Sequence, residues 1–259
     1  MRRRVYETPA PLINDDPFLF FPIATIGYHN PVGHLRPWNL IDVSRILLMW
    51  MGCFFLGAAI IQSIPNIPNT VMLLVNICTF HLSALAILTI WLRRINVTWE
   101  TAFGLRTGLN LKTLGASAFA AICVIPTSIV VILLVELLMS NLGWEPKLQE
   151  VVLALSKSSK WHDTVLMGIM ATILAPIVEE LIFRGLIYQT LKDAGYKKSA
   201  LWISSLLFAA IHINVMTFIP LTLLAVLFAL LYETSGTIVA PIIVHSLFNL
   251  ANFCMILFA

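Results

Sequence analysis

The chain is 259 residues long, 59% of them hydrophobic and only 11% charged, with a formal net charge of +3. Soluble domains carry roughly one-quarter charged residues, so this composition excludes a soluble globular protein and points to a chain embedded in a lipid bilayer. The small basic excess is spread along loops, where it sets membrane orientation; it forms no surface for nucleic acid.

Residues 1–41 hold several prolines among polar and aromatic residues, with one apolar patch, Phe18 to Ile26, too brief to span. They are expected at the cytoplasmic face or the interface, ahead of a transmembrane domain over 42–259. No apolar run follows the basic start, so the first span is expected to act as its own insertion signal. Seven apolar segments come next: Ile46 to Ile64, Val71 to Leu92, Ala116 to Met139, Val165 to Leu191, Ala200 to Phe218, Leu221 to Leu231 and Ile238 to Phe258. The fold class is therefore all-α, a polytopic transmembrane helical bundle of about seven spans (range six to eight). The polar stretch from Asn96 to Leu114 is expected along the cytoplasmic face. Alternating the loops places twelve basic residues on the side of the N-terminus, among them Arg36, Arg93, Arg94, Lys192, Lys197 and Lys198. Lys147, Lys157 and Lys160 fall on the other side, which puts the N-terminus in the cytoplasm. The cysteines, Cys53, Cys78, Cys123 and Cys254, sit in apolar runs without metal-type spacing and read as small buried hydrophobes.

The fourth segment carries Ala-Pro-Ile-Val-Glu-Glu-Leu-Ile-Phe-Arg-Gly, from Ala175 to Gly185. A charge at the bilayer centre costs at least ~2.5 kcal/mol even on insertion scales, so such residues are functional candidates. Glu180 and Arg184, four apart, share a helix face with the acid N-terminal to the base, the better order for an ion pair. Glu179 points about 100° away and has no charge partner on its own helix. Later segments supply Phe208 to His212 (Phe-Ala-Ala-Ile-His) and His245 to Asn249 (His-Ser-Leu-Phe-Asn), with His245 and Asn249 on one face. Counting along each helix, Glu179 lies ~21 Å from Asp193, His212 ~21 Å from Lys198 and His245 ~14 Å from Gly236. All three groups then fall within the hydrocarbon, where one cavity would unite them. Pro176 and Pro241 precede Glu179 and His245 by about one turn and are expected to open the backbone beside them. His81, in the second segment, is read as structural, Asn76, Asn214 and Asn252 as interhelical hydrogen-bonders, and Glu136 and Glu233 as solvent-reachable near span ends.

These three ordered motifs, Glu179-Glu180-Leu-Ile-Phe-Arg184, Phe208 to His212 and His245 to Asn249, resemble those of the CPBP family. That family includes type II CAAX prenyl proteases and the bacteriocin-processing or immunity proteins of the Abi group. The resemblance covers 161–259. It implies an intramembrane endopeptidase in which Glu179 activates water, His212 and His245 assist and Asn249 holds the oxyanion; the site is expected within the bilayer near its cytoplasmic half. Glu180, Arg184 and Phe208 are supports. The resemblance further implies a lipidated or membrane-bound peptide as substrate, with prenylated tails and leader-type segments both open. Metal dependence stays open: Glu179, His212 and His245 would suffice to hold a zinc ion, whereas a glutamate serving as base does not readily double as ligand. A metal-free mechanism is the preferred reading. The alternatives are a non-proteolytic immunity or scaffold protein of the same fold and, behind it, a proton-coupled carrier; a carrier would favour inverted repeats, and none is visible.

Overall fold

The structure is a computed structural model that describes residues 36–105, 110–144 and 160–258; within them every regular element is helical. Helix α1 (Leu40–Ser63) starts at a capping box in which the Asn39 side chain accepts from the Ile41 and Asp42 amides while Asp42 accepts from the Asn39 amide. Helix α2 (Asn69–Arg94) contains a π-helical turn at Ile77–Leu82. The short α3 (Trp99–Phe103) begins on Thr98 and ends at Gly104, whose φ of 66° suits glycine. Helix α4 (Leu111–Asn141) is capped by Asn110. Helix α5 (Trp161–Asp193) includes two π-helical turns, Met170–Leu174 and Leu181–Tyr188, flanking Ala175–Glu180. Helices α6 (Lys197–Ala210), α7 (Val215–Ser235) and α8 (Val239–Phe258) complete the bundle.

Six of these helices, α1, α2, α4, α5, α7 and α8, are long and apolar enough to cross a membrane. Leu48, Phe55, Leu133 and Leu134 stay exposed on their outer sides, as lipid-facing residues do, and Trp144 and Trp161 stand exposed at one end as interface anchors. The chain is a multi-pass integral membrane protein.

The break between the fifth and sixth apolar segments is not where the hydropathy pattern puts it. The chain turns at 211–214, where Ile213 adopts a left-handed backbone (φ 49°) and the Asn214 side chain accepts from the Thr217 amide at 3.1 Å to start α7. Pro220 lies inside α7 and does not end it. Hence α6 has only 14 residues, ~21 Å of helix against ~30 Å of hydrocarbon. It runs beside α7 as the short arm of a hairpin. Asn214 thus serves as a helix cap, and Asn252 bonds the Phe248 carbonyl of its own helix.

The C-terminal half of α5 is the centre of the core. Each residue from Leu181 to Tyr188 is buried, among α1, α2, α6 and α7. A methyl group at Gly185 would lie 2.6 Å from the Phe103 ring, so glycine there lets α3 press against α5. At this end a polar cluster ties the elements together. Arg36 Nη1 donates to Gln189 Oε1 (3.2 Å) and Asp193 Oδ2 (3.0 Å), Trp38 Nε1 to Thr190 Oγ1 (3.1 Å), and Lys192 Nζ to Glu233 Oε1 (2.5 Å). Arg36 and Lys192 are therefore buried partners and not free loop charges, and the Glu233 side chain, 7% exposed, is a largely enclosed ion-pair member. Of the segment over 1–41, residues 1–35 lie outside the described residues, as do Arg106, Lys147 and Lys157 of the loops.

Candidate active site

The site is built on α5, α6, α7 and α8. Glu179 and Glu180 end the α-helical turn between the two π segments of α5 and point in different directions; both reach His245, at opposite ring nitrogens, and Glu180 bonds Arg184. Glu180, fully buried, accepts from Arg184 Nη1 at 2.9 Å, the pair read from the four-residue spacing. The same Oε1 lies 2.9 Å from His245 Nδ1 on α8, so Glu180 holds both a cation and an imidazole. Arg184 also donates to the Ala225 carbonyl (3.1 Å), and its guanidinium lies over the rings of Phe208 (4.5 Å) and Phe228 (5.1 Å). Those rings also hold His245: Phe228 stacks on it at 4.8 Å and Phe208 meets it edge-on at 5.8 Å.

Because a carboxylate accepts, His245 donates through Nδ1–H and turns Nε2 the other way, to 3.7 Å from Glu179 Oε2. His212, at the end of α6, places Nδ1 2.8 Å from the Phe208 carbonyl. The carbonyl requires a donor, so Nδ1 carries hydrogen and Nε2 is left with a lone pair in the neutral ring. Phe208 thereby supports three site residues, with its ring on Arg184 and His245 and its carbonyl on His212.

Asn249, one turn beyond His245, donates from Nδ2 to the Ala171 carbonyl at 2.8 Å. The π-helical turn explains why that carbonyl is free. The Ala175 amide reaches five residues back to Met170, so Ala171 would be served next by residue 176, which is proline and has no N–H. Pro176 thus opens the backbone as expected. Pro241 does not: it lies in the first turn of α8, where a missing amide costs nothing.

Glu179, His212, His245 and Asn249 all line one cavity of about 430 Å³, within the ~300–1,000 Å³ of small-ligand pockets. Its other walls are largely apolar, including Ile132, Leu221, Leu224, Phe248 and Phe253. Arg184 and Glu180 lie behind the wall. The cavity also receives a residue read as structural, His81. It is buried at the π-helical turn of α2, and among the described residues its Nδ1 has no hydrogen-bond partner. The available signal was that helix's lone polar ring at mid-depth; no spacing rule tied it to motifs nearly a hundred residues away.

Zinc would require Glu179, His212 and His245 to converge. Glu179 and His245 approach each other, yet among the described residues no three His, Cys, Asp or Glu side chains stand close enough to share a metal ion. The donor set as placed does not fit a three-ligand zinc site.

The fold and this cluster define a class: a polytopic helical membrane protein with a carboxylate and imidazoles lining one intramembrane cavity. Residues 161–251 match the family model of the Rce1-like type II CAAX prenyl endopeptidases. Two proteins of Bacillus subtilis (strain 168) are similar. The uncharacterized protein YpbD is 31% identical over 94 residues, covering 35% of this chain and 46% of its own. YdiL, whose name assigns it provisionally as a membrane peptidase, is 34% identical over 84 residues, covering 32% of this chain and 34% of its own. The chain thus spans less than half the length of either relative. No solved structure matches it.

Proposed function

We propose that the protein is an intramembrane endopeptidase of the CAAX-protease type, cleaving a lipidated or otherwise membrane-bound peptide with a water molecule activated by Glu179. The observation that carries this reading is the approach of Glu179 and His245, 3.7 Å apart at the inner end of a cavity within the bundle. The similarity of 161–251 to a peptidase family supports it independently.

In this reading Glu179 takes a proton from water while the water oxygen bonds to the scissile carbonyl carbon, whose π electrons move to oxygen. His245, held by Glu180, and the Nε2 of His212 orient the water and the peptide. The second Nδ2 hydrogen of Asn249, beyond the one given to Ala171, is available to the oxyanion. Collapse of the tetrahedral species breaks the C–N bond, and Glu179 returns its proton to the leaving amine. Nothing in this sequence draws on a metal ion.

The test is cleavage of a panel of prenylated, acylated and leader-type peptides by purified protein in proteoliposomes, with wild type and Glu179→Ala compared with and without a zinc chelator. Cleavage by wild type alone, unaffected by chelator, is expected. Equal cleavage by the variant would overturn the role of Glu179, and loss with chelator would overturn the metal-free step.

A further inference from the structure

Among the described residues the cavity has a closed end and an open end. At the closed end lie buried Glu179, His245, Phe208 and Leu224, and beneath them the wholly buried run from Leu181 to Tyr188 seals the bundle down to the Arg36 and Lys192 cluster. At the other end the lining residues become partly exposed, among them His212, Met216, Thr217, Asn252 and Ile256.

The lining traces the direction along each helix. On α8 it follows one face, His245, Phe248, Asn249, Asn252, Phe253 and Ile256, away from the polar cluster toward the helix's last turn. On α5 it runs from Glu179 back through Ala175 and Ala171 toward Trp161, and on α7 from Leu224 back to Met216 beside the first turn. All three tracks leave the end that carries Arg93, Arg94, Lys197 and Lys198, where the loop-charge excess puts the cytoplasm.

We propose that the cavity admits its occupant from the extracytoplasmic side of the membrane, and that the occupant is an extended segment of a peptide anchored in the outer leaflet. That the occupant is a peptide rests on the endopeptidase reading; the direction of access does not. The largely apolar walls suit side chains leaving lipid, and Glu179 and His245 meet the backbone at the base. A soluble cytoplasmic peptide would face the sealed end.

The test is labelling of the full chain in spheroplasts of an expression host with a membrane-impermeant maleimide. Single cysteines replace Thr217, Asn252 or Lys198 in a background where the four native cysteines are serine or alanine. Expected is label on Thr217→Cys and Asn252→Cys in sealed spheroplasts, and on Lys198→Cys only after permeabilisation. The inference is overturned if the two mouth positions label only after permeabilisation, or stay unlabelled while Lys198→Cys reacts. Met216→Cys and Ile256→Cys replace any variant that fails gel filtration. Adding Glu179→Ala should leave every labelling result unchanged, so failure of the peptidase reading and failure of this inference are read separately.

Discussion

Glu180→Ala is the most informative single change, because one oxygen serves two partners. Glu180 and Arg184 are 0% and 1% exposed, and Oε1 is 2.9 Å both from Arg184 Nη1 and from His245 Nδ1. Removing the carboxylate leaves the guanidinium, among the described residues, with the Ala225 carbonyl, two aromatic faces and the more distant charge of Glu179. Stranding one member of a buried pair costs ~3–5 kcal/mol, a large part of the ~5–15 kcal/mol by which proteins are stable. For a chain of this size that corresponds to a fall in melting temperature on the order of 6–20 °C. The assay is fluorescence-detected gel filtration after stepwise heating in detergent. Glu180→Ala/Arg184→Met, which removes both charges, should recover most of the loss. A Glu180→Ala protein that melts like wild type, or a double variant no more stable than the single, would refute the reasoning. Glu180→Gln keeps an acceptor for both partners but not the charge, so it should fold better than Glu180→Ala and lose turnover through His245.

Other expectations concern neighbouring parts of the site. Glu179→Gln should fold like wild type and lose ~10²–10⁴-fold in kcat, the contribution of a general base, in the peptide-cleavage assay. Asn249→Asp cannot donate to the Ala171 carbonyl and should destabilise by ~1–3 kcal/mol, seen as a lower melting temperature together with reduced cleavage. Gly185→Ala pushes a methyl into the Phe103 ring and should cost ~1–3 kcal/mol, partly restored by Phe103→Leu in the same melting assay. Lys192→Met should lower the melting temperature by leaving Glu233 enclosed without its cation, and Lys192→Met/Glu233→Gln should melt higher than the single variant.

The helical class and the pairing of Glu180 with Arg184 were legible because each rests on a local regularity, apolar length for the spans and a four-residue spacing for the pair. The same spacing argument separated Glu179 from Glu180: Glu180 takes the bond from Arg184, and the two meet His245 at opposite ring nitrogens. What the sequence concealed depends on contacts between distant helices. His245 as a second ligand of Glu180, Asn249 on Ala171, and His81 in the cavity have no signature within one segment. The turn at 211–214 was missed for another reason: hydropathy weights Ile211 and Ile213 as membrane residues, whereas the cap formed by Asn214 decides the backbone. Arg36 and Glu233 looked exposed because burial of a charge is visible only with its partner in place.

The arrangement of ion pairs along α5 bears on how the protein is made. Insertion during synthesis presents α5 to the lipid before α7 exists, and each charge left alone at the middle of a helix costs ~2.5–3.5 kcal/mol on insertion scales. Arg184 meets its counter-ion one turn away on the same helix, so it crosses the translocon already neutralised. Lys192 must wait for Glu233 on α7, forty-one residues later, but it sits near the helix end, where its amine reaches the headgroups meanwhile. Helix α6 is too short to hold a membrane position by itself and is expected to enter together with α7 as a hairpin. The late arrival of α7 and α8 then brings Phe228 and His245 onto Glu180 in a single step. In a nascent chain, the site would thus stay unassembled until α8 has joined the bundle and brought His245 onto Glu180.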